Sequence, residues 1–336
     1  MARRPIVLVL PSGDLLGALF PDEVRGKLAE FAEARYNDLG RDLTQEELRE
    51  SVADADACIT SWGSPQFTAE VVAAAPRLRI ITHAAGTVKP YVTEAVFARG
   101  IIVTGGAPAI ARYVGEMALA LTLASLRRLI GYERSLKDDR DWRSPQVRLP
   151  ETLFEQRVGL IGFGVTGREF AAVLKPFRVE LLCCDPHVEA EAIEAAGGRA
   201  ASLEEILSTC KVISVHAASL PSTKHLLDAE ELQMIQDGAV LVNTARGSVI
   251  NTAALVEELK TGRFSAALDV FDPEEPLPPE HPLRDLPNVI LTPHVSGPVG
   301  GRRSDLGRYA VECVRIALSG KTPPGAITLE RLQTLA

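Results

Sequence analysis

The chain has no excess of basic charge. Its 36 lysines and arginines stand against 44 aspartates and glutamates, a formal net charge of −8. Nucleic-acid readers carry a basic face, so that class is excluded; an anionic ligand must be held by local Arg, Lys and backbone N–H groups. Cysteine is scarce: Cys58, Cys183, Cys184, Cys210 and Cys313 are odd in number and show no metal-ligand spacing. They read as small core residues in a reducing compartment, which predicts a cytoplasmic protein without disulfides or a metal centre. Long apolar runs are missing too. Ile6–Leu10, behind Met1-Ala2-Arg3-Arg4, stops at Pro11-Ser12-Gly13-Asp14, and predicts a first strand rather than a secretion signal. The most apolar helical stretch, near Met117–Ala124, is expected to be too short to cross a bilayer and runs into Arg127-Arg128. No internal repeat or low-complexity tract occurs, which excludes solenoids and propellers. What is present is 336 residues of 46% hydrophobic content, enough for two soluble domains with full cores.

The organising stretch is Arg157–Pro186, RVGLIGFGVTGREFAAVLKPFRVELLCCDP. An apolar run, Arg157–Ile161, leads into Gly162-Phe163-Gly164-Val165-Thr166-Gly167. Apolar residues then recur at Phe170, Val173, Leu174 and Phe177, which is helical spacing, and Val179–Cys184 is a second strand ending in Asp185. Gly162 permits a tight turn, Gly164 lets backbone approach a pyrophosphate, and Gly167 lets the helix pack close to the strand. The helix N-terminus presents free N–H groups to the phosphates. Asp185 stands where a carboxylate meets the ribose 2′-hydroxyl, which favours NAD over NADP. A glycine turn alone is a weak signal; strand, helix and terminal acid together specify dinucleotide binding.

Before this stretch, strands are expected at residues 5–10, Asp56–Thr60, Leu78–His83 and Ile101–Thr104. Helical periodicity covers Asp22–Ala34, Thr44–Val52, Thr68–Ala75 (with Thr68 as N-cap) and Thr93–Arg99. This alternation predicts a small parallel α/β unit, with the loops Ser61–Pro65 and Ala84–Lys89 as substrate walls beyond the strand ends. Ala109–Ile130 reads as a long helix crossing into a second domain, with a hinge at Gly105-Gly106-Ala107-Pro108. Asp138–Leu153 reads as a loop in which Trp142 is a packing or interface residue. From Arg157 the pattern restarts. Strands are predicted at 157–161, 179–184, 211–215, 239–243, 265–268 and 288–291, with helices at 165–176, 189–196, 202–208, 229–235 and 251–260. Gly300–Ser319 reads as a last helix after a second hinge at Gly297-Pro298.

Three strand ends carry the chemistry. Val240–Asn243 runs into Thr244-Ala245-Arg246-Gly247; Ala266–Val270 into Phe271-Asp272-Pro273-Glu274-Glu275-Pro276; Val289–Thr292 into Pro293-His294-Val295-Ser296-Gly297. An Arg fork can hold a carboxylate, a His can move a hydroxyl proton, and a carboxylate can orient the His. Taken singly, Arg246 reads as a surface ion-pair residue, Glu274 and Glu275 as a solvated turn, and His294 as a loop histidine. Their joint place at one sheet edge favours oxidation of a hydroxy acid. His83 and His216 read as structural, and His187, His225 and His281 as exposed.

These stretches resemble the D-isomer-specific 2-hydroxyacid dehydrogenases. The match runs through VGLIGFGVTGREFA, LVNTARGSVINTAALVEEL, AALDVFDPEEPLPPEHPLRDLPNVILTPHVSG and, more loosely, HAAGTVKPYVTEAVFARGIIVTGG with VGEMALALTLASLRR. The resemblance implies a Rossmann NAD domain, residues 110–296, inserted into a smaller flavodoxin-like substrate domain made of 1–109 and 297–336. It implies NAD as cofactor, a small 2-keto or 2-hydroxy acid as substrate, no membrane partner, and a homodimer built partly by the long helix. Arg246 would bind the substrate carboxylate and carbonyl, His294 would be the acid/base at the nicotinamide edge, and Glu275 its partner. Asp269 would bond the nicotinamide carboxamide. Val165, Thr166 and Ala245 would line the cofactor, and the backbone at Ala85, Gly86 and Thr87 would hold the substrate beside Trp62. The acidic turn is one residue longer than the family's usual form, so Glu274 rivals Glu275. The segment Gly86-Thr87-Val88-Lys89-Pro90 lacks the family's usual Asp, and Ala109-Ile110-Ala111-Arg112 lacks its usual Asn. The apolar face of Trp62 argues against phosphoglycerate and leaves glyoxylate, hydroxypyruvate and apolar or aromatic 2-keto acids. Two other readings use similar folds: a non-catalytic NAD(H)-sensing scaffold of the co-repressor type, and an alanine dehydrogenase, against which NTARG and TPH speak.

Overall fold

The computed structural model describes residues 3–142, 144, 147–273 and 275–334. Met1 and Ala2, the head of the leader-like pattern, and Glu274 lie outside the described residues. The chain divides into two compact units, one running to Ile110 and resuming at Pro298, the other Ala111–Gly297. The strands are β1 (Ile6–Val9), β2 (Glu33–Tyr36), β3 (Ala57–Thr60), β4 (Ile80–His83), β5 (Ile102–Gly105), β6 (Arg157–Ile161), β7 (Glu180–Cys184), β8 (Arg199–Ala200), β9 (Val212–Val215), β10 (Val240–Asn243), β11 (Ser265–Leu268), β12 (Val289–Leu291) and β13 (Ala326–Ile327).

The first unit holds the sheet β13-β5-β4-β3-β1-β2, parallel apart from the antiparallel edge pair β13–β5. Its five parallel strands follow the flavodoxin-like order. The helix Ser304–Leu318 returns to this unit, and Leu306, Ala310 and Val314 share a core with Val7, Val9, Leu19 and Phe20.

The second unit holds the sheet β12-β11-β10-β9-β6-β7-β8, parallel throughout. This is the doubly wound Rossmann order, with its switch point between β6 and β9. Strands β9, β10 and β11 are buried at every position because helices cover both faces, and so they read as continuous apolar runs. Ile213, Leu241 and Ala266 pack into one layer, and Val212, Val240 and Ala267 into the other.

The structure corrects several local readings. The periodicity assigned to Asp22–Ala34 splits into a helix, Asp22–Ala29, and the edge strand β2. Charged Glu33 and Arg35 face outward on that edge and mask the strand pattern. The helix Gly13–Leu19, the two-residue strands β8 and β13, and the helix Leu329–Thr334 were not anticipated. The last long helix starts at Ser304, after a 3-10 turn over Gly300–Arg303.

The long helix is Ala107–Leu126, twenty residues, which by length and composition alone is long and apolar enough to cross a membrane. It starts two residues before the expected Ala109, with Pro108 in its first turn, where the missing N–H costs nothing. Its buried stripe of Ala111, Val114, Ala118, Leu121, Thr122 and Ser125 has core-helix spacing, and Ala118 and Leu121 pack with Val158 and Leu160 of β6. The helix does not reach Ile130: Arg128 is left-handed at φ 55°, and a separate helix, Leu129–Lys137, follows. Trp142 is 76% exposed, so it does not pack within the chain.

Candidate active site

The glycine turn after β6 has the three properties its spacing predicts. Gly162 is at φ +95°, and a Cβ there would stand 2.7 Å from the Ala217 nitrogen and the His216 carbonyl carbon. A Cβ on Gly167 would stand 2.6 Å from the Gly162 carbonyl oxygen, so only glycine lets this helix close on the strand end. At Gly164 a Cβ would meet nothing within 4 Å. The helix Val165–Leu174 therefore starts beneath open space, and no side chain caps its first N–H groups. Val165 is exposed and Thr166 half-buried at this mouth. Asp185, past β7, ties the two strand ends together: one carboxylate oxygen accepts the Phe163 N–H at 2.7 Å, the other the His187 N–H at 2.9 Å. This is a fitting cradle for a dinucleotide: an open glycine, a free helix N-terminus and a carboxylate at the neighbouring strand end.

The loop after β10 is knotted by Asn243. Its side-chain oxygen accepts the Ala245 N–H at 3.0 Å, and its amide donates to the Arg246 carbonyl at 2.9 Å. That Asx-type knot sets the direction of Arg246. The Arg246 guanidinium is half-buried and donates to the Ala245 carbonyl at 2.6 Å. Burial pushes it down from its usual value, and the Glu275 carboxylate opposes that. The Thr244 hydroxyl beside it is buried without a hydrogen-bond partner.

After β12 the chain turns through His294 at φ +52°, in the left-handed region that residues other than glycine visit uncommonly. His294 Nδ1 lies 2.7 Å from Glu275 Oε2. The other Glu275 oxygen accepts the Phe271 N–H at 2.8 Å, so the carboxylate is fixed to its own turn. With Nδ1 engaged, Nε2 is the ring nitrogen left for chemistry. A cavity of about 580 Å³ opens beside the pair, lined by Phe271, Pro276, Leu277, Arg284 and Leu291 together with Glu275 and His294. Asp269, just past β11, is fully buried, and both its oxygens accept hydrogen bonds from Thr292, Val295 and Ser296. Among the described residues no cluster of His, Cys, Asp and Glu could hold a metal ion.

Arg246, Asp269, Glu275, His294, Ala245 and the glycine turn all belong to the second unit. Trp62, Ala85, Gly86 and Thr87 belong to the first. There Ala85 is buried and its carbonyl accepts the Gly106 N–H at 2.9 Å; Gly86 and Thr87 are half-buried, and Trp62 is exposed. His83 is buried, and His216 is half-buried with its Nδ1 enclosed. His83 Nδ1 meets the Thr60 hydroxyl at 2.8 Å with its ring stacked on Tyr91, and His216 Nε2 meets the Ser214 hydroxyl at 3.0 Å. Burial pushes both down to about 3. His225 and His281 are half-buried, not exposed as expected, because backbone contacts draw them in: the His225 N–H donates to the Ser248 carbonyl, and the His281 ring accepts the Leu283 N–H. Sequence reasoning overlooked Asn243, Thr292 and Ser296. The signal for the first was its N-x-x-R spacing; for the other two, hydroxyls placed two residues before and two after the histidine.

Comparison with known proteins agrees with this geometry. Residues 119–296 match the D-isomer specific 2-hydroxyacid dehydrogenase, NAD binding domain. The chain is 30% identical over 334 residues to a glyoxylate reductase of Aeropyrum pernix, covering 98% of this chain and 97% of that one. It is 31% identical over 292 residues to a D-3-phosphoglycerate dehydrogenase of Methanocaldococcus jannaschii, covering 86% of this chain but 55% of that longer protein. A phosphoglycerate oxidoreductase from Rhizobium etli superposes with a TM-score of 0.79 at 27% identity, over 96% of this chain and 98% of that one. A D-mandelate dehydrogenase from Rhodotorula graminis, at 23% identity and a TM-score of 0.81, shares the fold. The glycine cradle thus has its reason in the cofactor, and the chain belongs to the D-isomer-specific 2-hydroxyacid dehydrogenase family, as an NAD-dependent oxidoreductase of D-2-hydroxy acids.

Proposed function

We propose that the protein interconverts a short 2-keto acid and its 2-hydroxy acid, with glyoxylate (reduced to achiral glycolate) or hydroxypyruvate (reduced to D-glycerate) as the favoured keto acid, and that Arg246, His294 and Glu275 carry the reaction. The observation behind this is the 2.7 Å contact between His294 Nδ1 and Glu275 Oε2, on one unit with Arg246 and the glycine turn. The nicotinamide, when bound, supplies or accepts the hydride. The Arg246 fork holds the acid's carboxylate and polarises its keto oxygen. His294 gives a proton from Nε2 to that oxygen in reduction and takes it back in oxidation. Glu275 keeps the ring turned so that Nε2 faces the substrate. Gly162, Gly164, Val165, Thr166 and Gly167 hold the pyrophosphate, Asp185 the adenosine ribose, and Ala245 lines the nicotinamide end.

The substrate class is supported by the glyoxylate reductases among the relatives, of which that of Aeropyrum pernix aligns along 97% of its length. The Ala85-Gly86-Thr87 backbone and Trp62 are assigned to the substrate's remaining surface. The first unit is accordingly the substrate domain. Exposed Leu129, Ile130, Leu136, Trp142, Leu149 and Phe154 on the segment after the long helix support its use as the face for a second copy.

The test is NADH oxidation by the purified protein against glyoxylate, hydroxypyruvate, pyruvate, 4-methyl-2-oxopentanoate and phenylpyruvate, beside His294→Ala. Turnover above about 1 s⁻¹ with glyoxylate or hydroxypyruvate is expected. The His294→Ala variant should lose about 10²–10⁴-fold in turnover while still binding NADH. Wild-type turnover in that variant would remove His294 from the mechanism.

A further inference from the structure

The base of the second unit's sheet, at the strand ends opposite the glycine turn, holds two enclosed donors without a partner among the described residues. Ser125, in the last turn of the helix Ala107–Leu126, is 4% exposed, and its hydroxyl makes no hydrogen bond. Three residues on, where the chain turns left-handed at φ 55°, the Arg128 Nε–H is likewise enclosed and unpartnered. The two residues are tied by backbone, since the Arg128 N–H donates to the Ser125 carbonyl at 3.2 Å. The far end of the guanidinium is anchored: Nη1 donates at 3.0 Å to the hydroxyl of Ser265, the first residue of β11.

The charge around this pair is one-sided. Arg148, whose guanidinium donates to the Gly262 and Arg263 carbonyls, is near enough to Arg128 to oppose its charge. The carboxylate near Arg128 is that of Glu151, and Lys211 already holds it: Nζ lies 2.7 Å from both of its oxygens and 2.8 Å from the Gly238 carbonyl. Among the described residues neither Arg128 nor Arg148 forms an ion pair. Burial pushes Arg128 below its usual value; Glu151 opposes that and Arg148 adds to it. A cation drawn out of water is retained where an opposite charge meets it. An Arg N–H and a hydroxyl together are donors for an anion.

We propose that Ser125 and Arg128 form a structural anion site that takes one chloride ion, to which the Ser125 hydroxyl and the Arg128 Nε–H donate. Both donors are enclosed, which fits an ion of a single atom rather than a phosphate or a carboxylate. The ion supplies the negative charge that Glu151, spent on Lys211, does not. It fastens the end of the long helix to the start of β11 and braces the left-handed break before the helix Leu129–Lys137. Gly162, Arg246 and His294 stand at the other ends of the strands, so the ion acts on stability and not on the reacting groups.

The experiment uses the full chain, exchanged into sodium gluconate and titrated with sodium chloride at constant ionic strength while its thermal midpoint is followed. Chloride should raise the midpoint saturably, by about 2–4 °C. Ser125→Ala and Arg128→Lys each remove one donor. Each should raise the chloride concentration at half effect at least about tenfold, with kcat and KM within twofold of wild type. Crystals soaked in sodium bromide give a second readout: an anomalous peak within hydrogen-bonding reach of both Ser125 Oγ and Arg128 Nε is expected. Water alone at that position, with bromide confined to the exposed Arg148, means an adventitious ion only and overturns the site. A midpoint indifferent to chloride, or one that rises equally in wild type and Ser125→Ala, overturns it as well, because the effect is then absent or a general one of salt. If Arg128→Lys does not fold, Ser125→Ala decides by the same readout.

Discussion

Gly247 passes so close to Phe271 that a Cβ on it would stand 2.1 Å from the Phe271 carbonyl carbon and 2.2 Å from the carbonyl oxygen. The contact is backbone against backbone, so neither side can yield by turning a side chain. It locks the loop of Arg246 to the turn that ends in Glu275. Gly247→Ala must push the two apart, and it should lower kcat/KM at least about a hundredfold, the scale of an ångström's misplacement. Overpacking should also cost on the order of 1–3 kcal/mol of stability. Steady-state kinetics and a denaturant titration check both; activity within threefold of wild type would mean that the two loops are not coupled.

Gly164 offers the opposite case. Since its Cβ position is free of protein atoms, Gly164→Val should leave the thermal midpoint nearly unchanged yet weaken NADH at least about tenfold, because the added methyls fill the space reserved for the pyrophosphate. Calorimetric titration against a melting curve separates the two effects, and undiminished NADH affinity would place the phosphates elsewhere.

Asp185 carries a charge that a 2′-phosphate would face. Asp185→Ala should weaken NADH more than NADPH, narrowing the preference between them. Its bond to the Phe163 N–H means that some NADH loss comes from a looser glycine turn, so the ratio of the two affinities is the quantity to read. Equal weakening of both would deny Asp185 the ribose role.

His83 and His216, pushed down to about 3 by burial, make stability depend on pH. In the unfolded chain each titrates near 6.5. The unfolded state takes up protons first as pH falls, so the stability these residues contribute is complete above pH 6.5 and is lost between there and 3. The steepest expected loss is about 1.4 kcal/mol per pH unit for each histidine. Urea midpoints measured from pH 7.5 to 4.5 should fall, and His83→Gln should flatten the profile. A profile unchanged by that substitution would show that His83 does not titrate with unfolding.

The cysteines should be quiet. Burial pushes Cys183 up to about 12 and Cys210 up to about 11, and raises Cys58, Cys184 and Cys313. All five are free thiols, and all but half-buried Cys184 are buried. At pH 8 a disulfide reagent should modify at most Cys184 quickly in the native protein and all five after unfolding. Rapid native reaction of two or more would contradict this packing.

Much of the second unit was legible because its strands are buried on both faces, so β9, β10 and β11 stand out as apolar runs with a punctuating loop at each end. The edge strands other than β12 were not legible. In β2 the outward Glu33 and Arg35 look like helix surface, and β8 and β13 are too short to carry a period. The break at Arg128 went unseen because nothing in the Arg127-Arg128 pair announces a left-handed residue. At the site, Arg246, His294 and the Glu274-Glu275 turn could be named from position at strand ends, the resemblance favoured Glu275, and the structure brings Glu275 onto His294. What the sequence could not show is which atoms a carboxylate spends. Asp269 could be singled out only through the resemblance, and nothing in the sequence shows that donors from residues 292–296 fold back onto it, a contact across more than twenty positions.

The first unit is made from two stretches of chain, and its core needs the helix Ser304–Leu318 against β1 and the helix Gly13–Leu19. During synthesis the whole of Ala111–Gly297 leaves the ribosome before that helix does. The earlier half of the first unit must therefore wait, with apolar residues such as Val7, Leu19 and Phe20 uncovered, while the inserted unit already has every strand it requires. Closing a loop of that length as open chain carries an entropic cost that grows with its logarithm. A folded insert shortens the effective loop to the distance between its own two ends. The connectivity therefore predicts an order of assembly in which the inserted unit folds first and the other is completed once the helix Ser304–Leu318 has emerged.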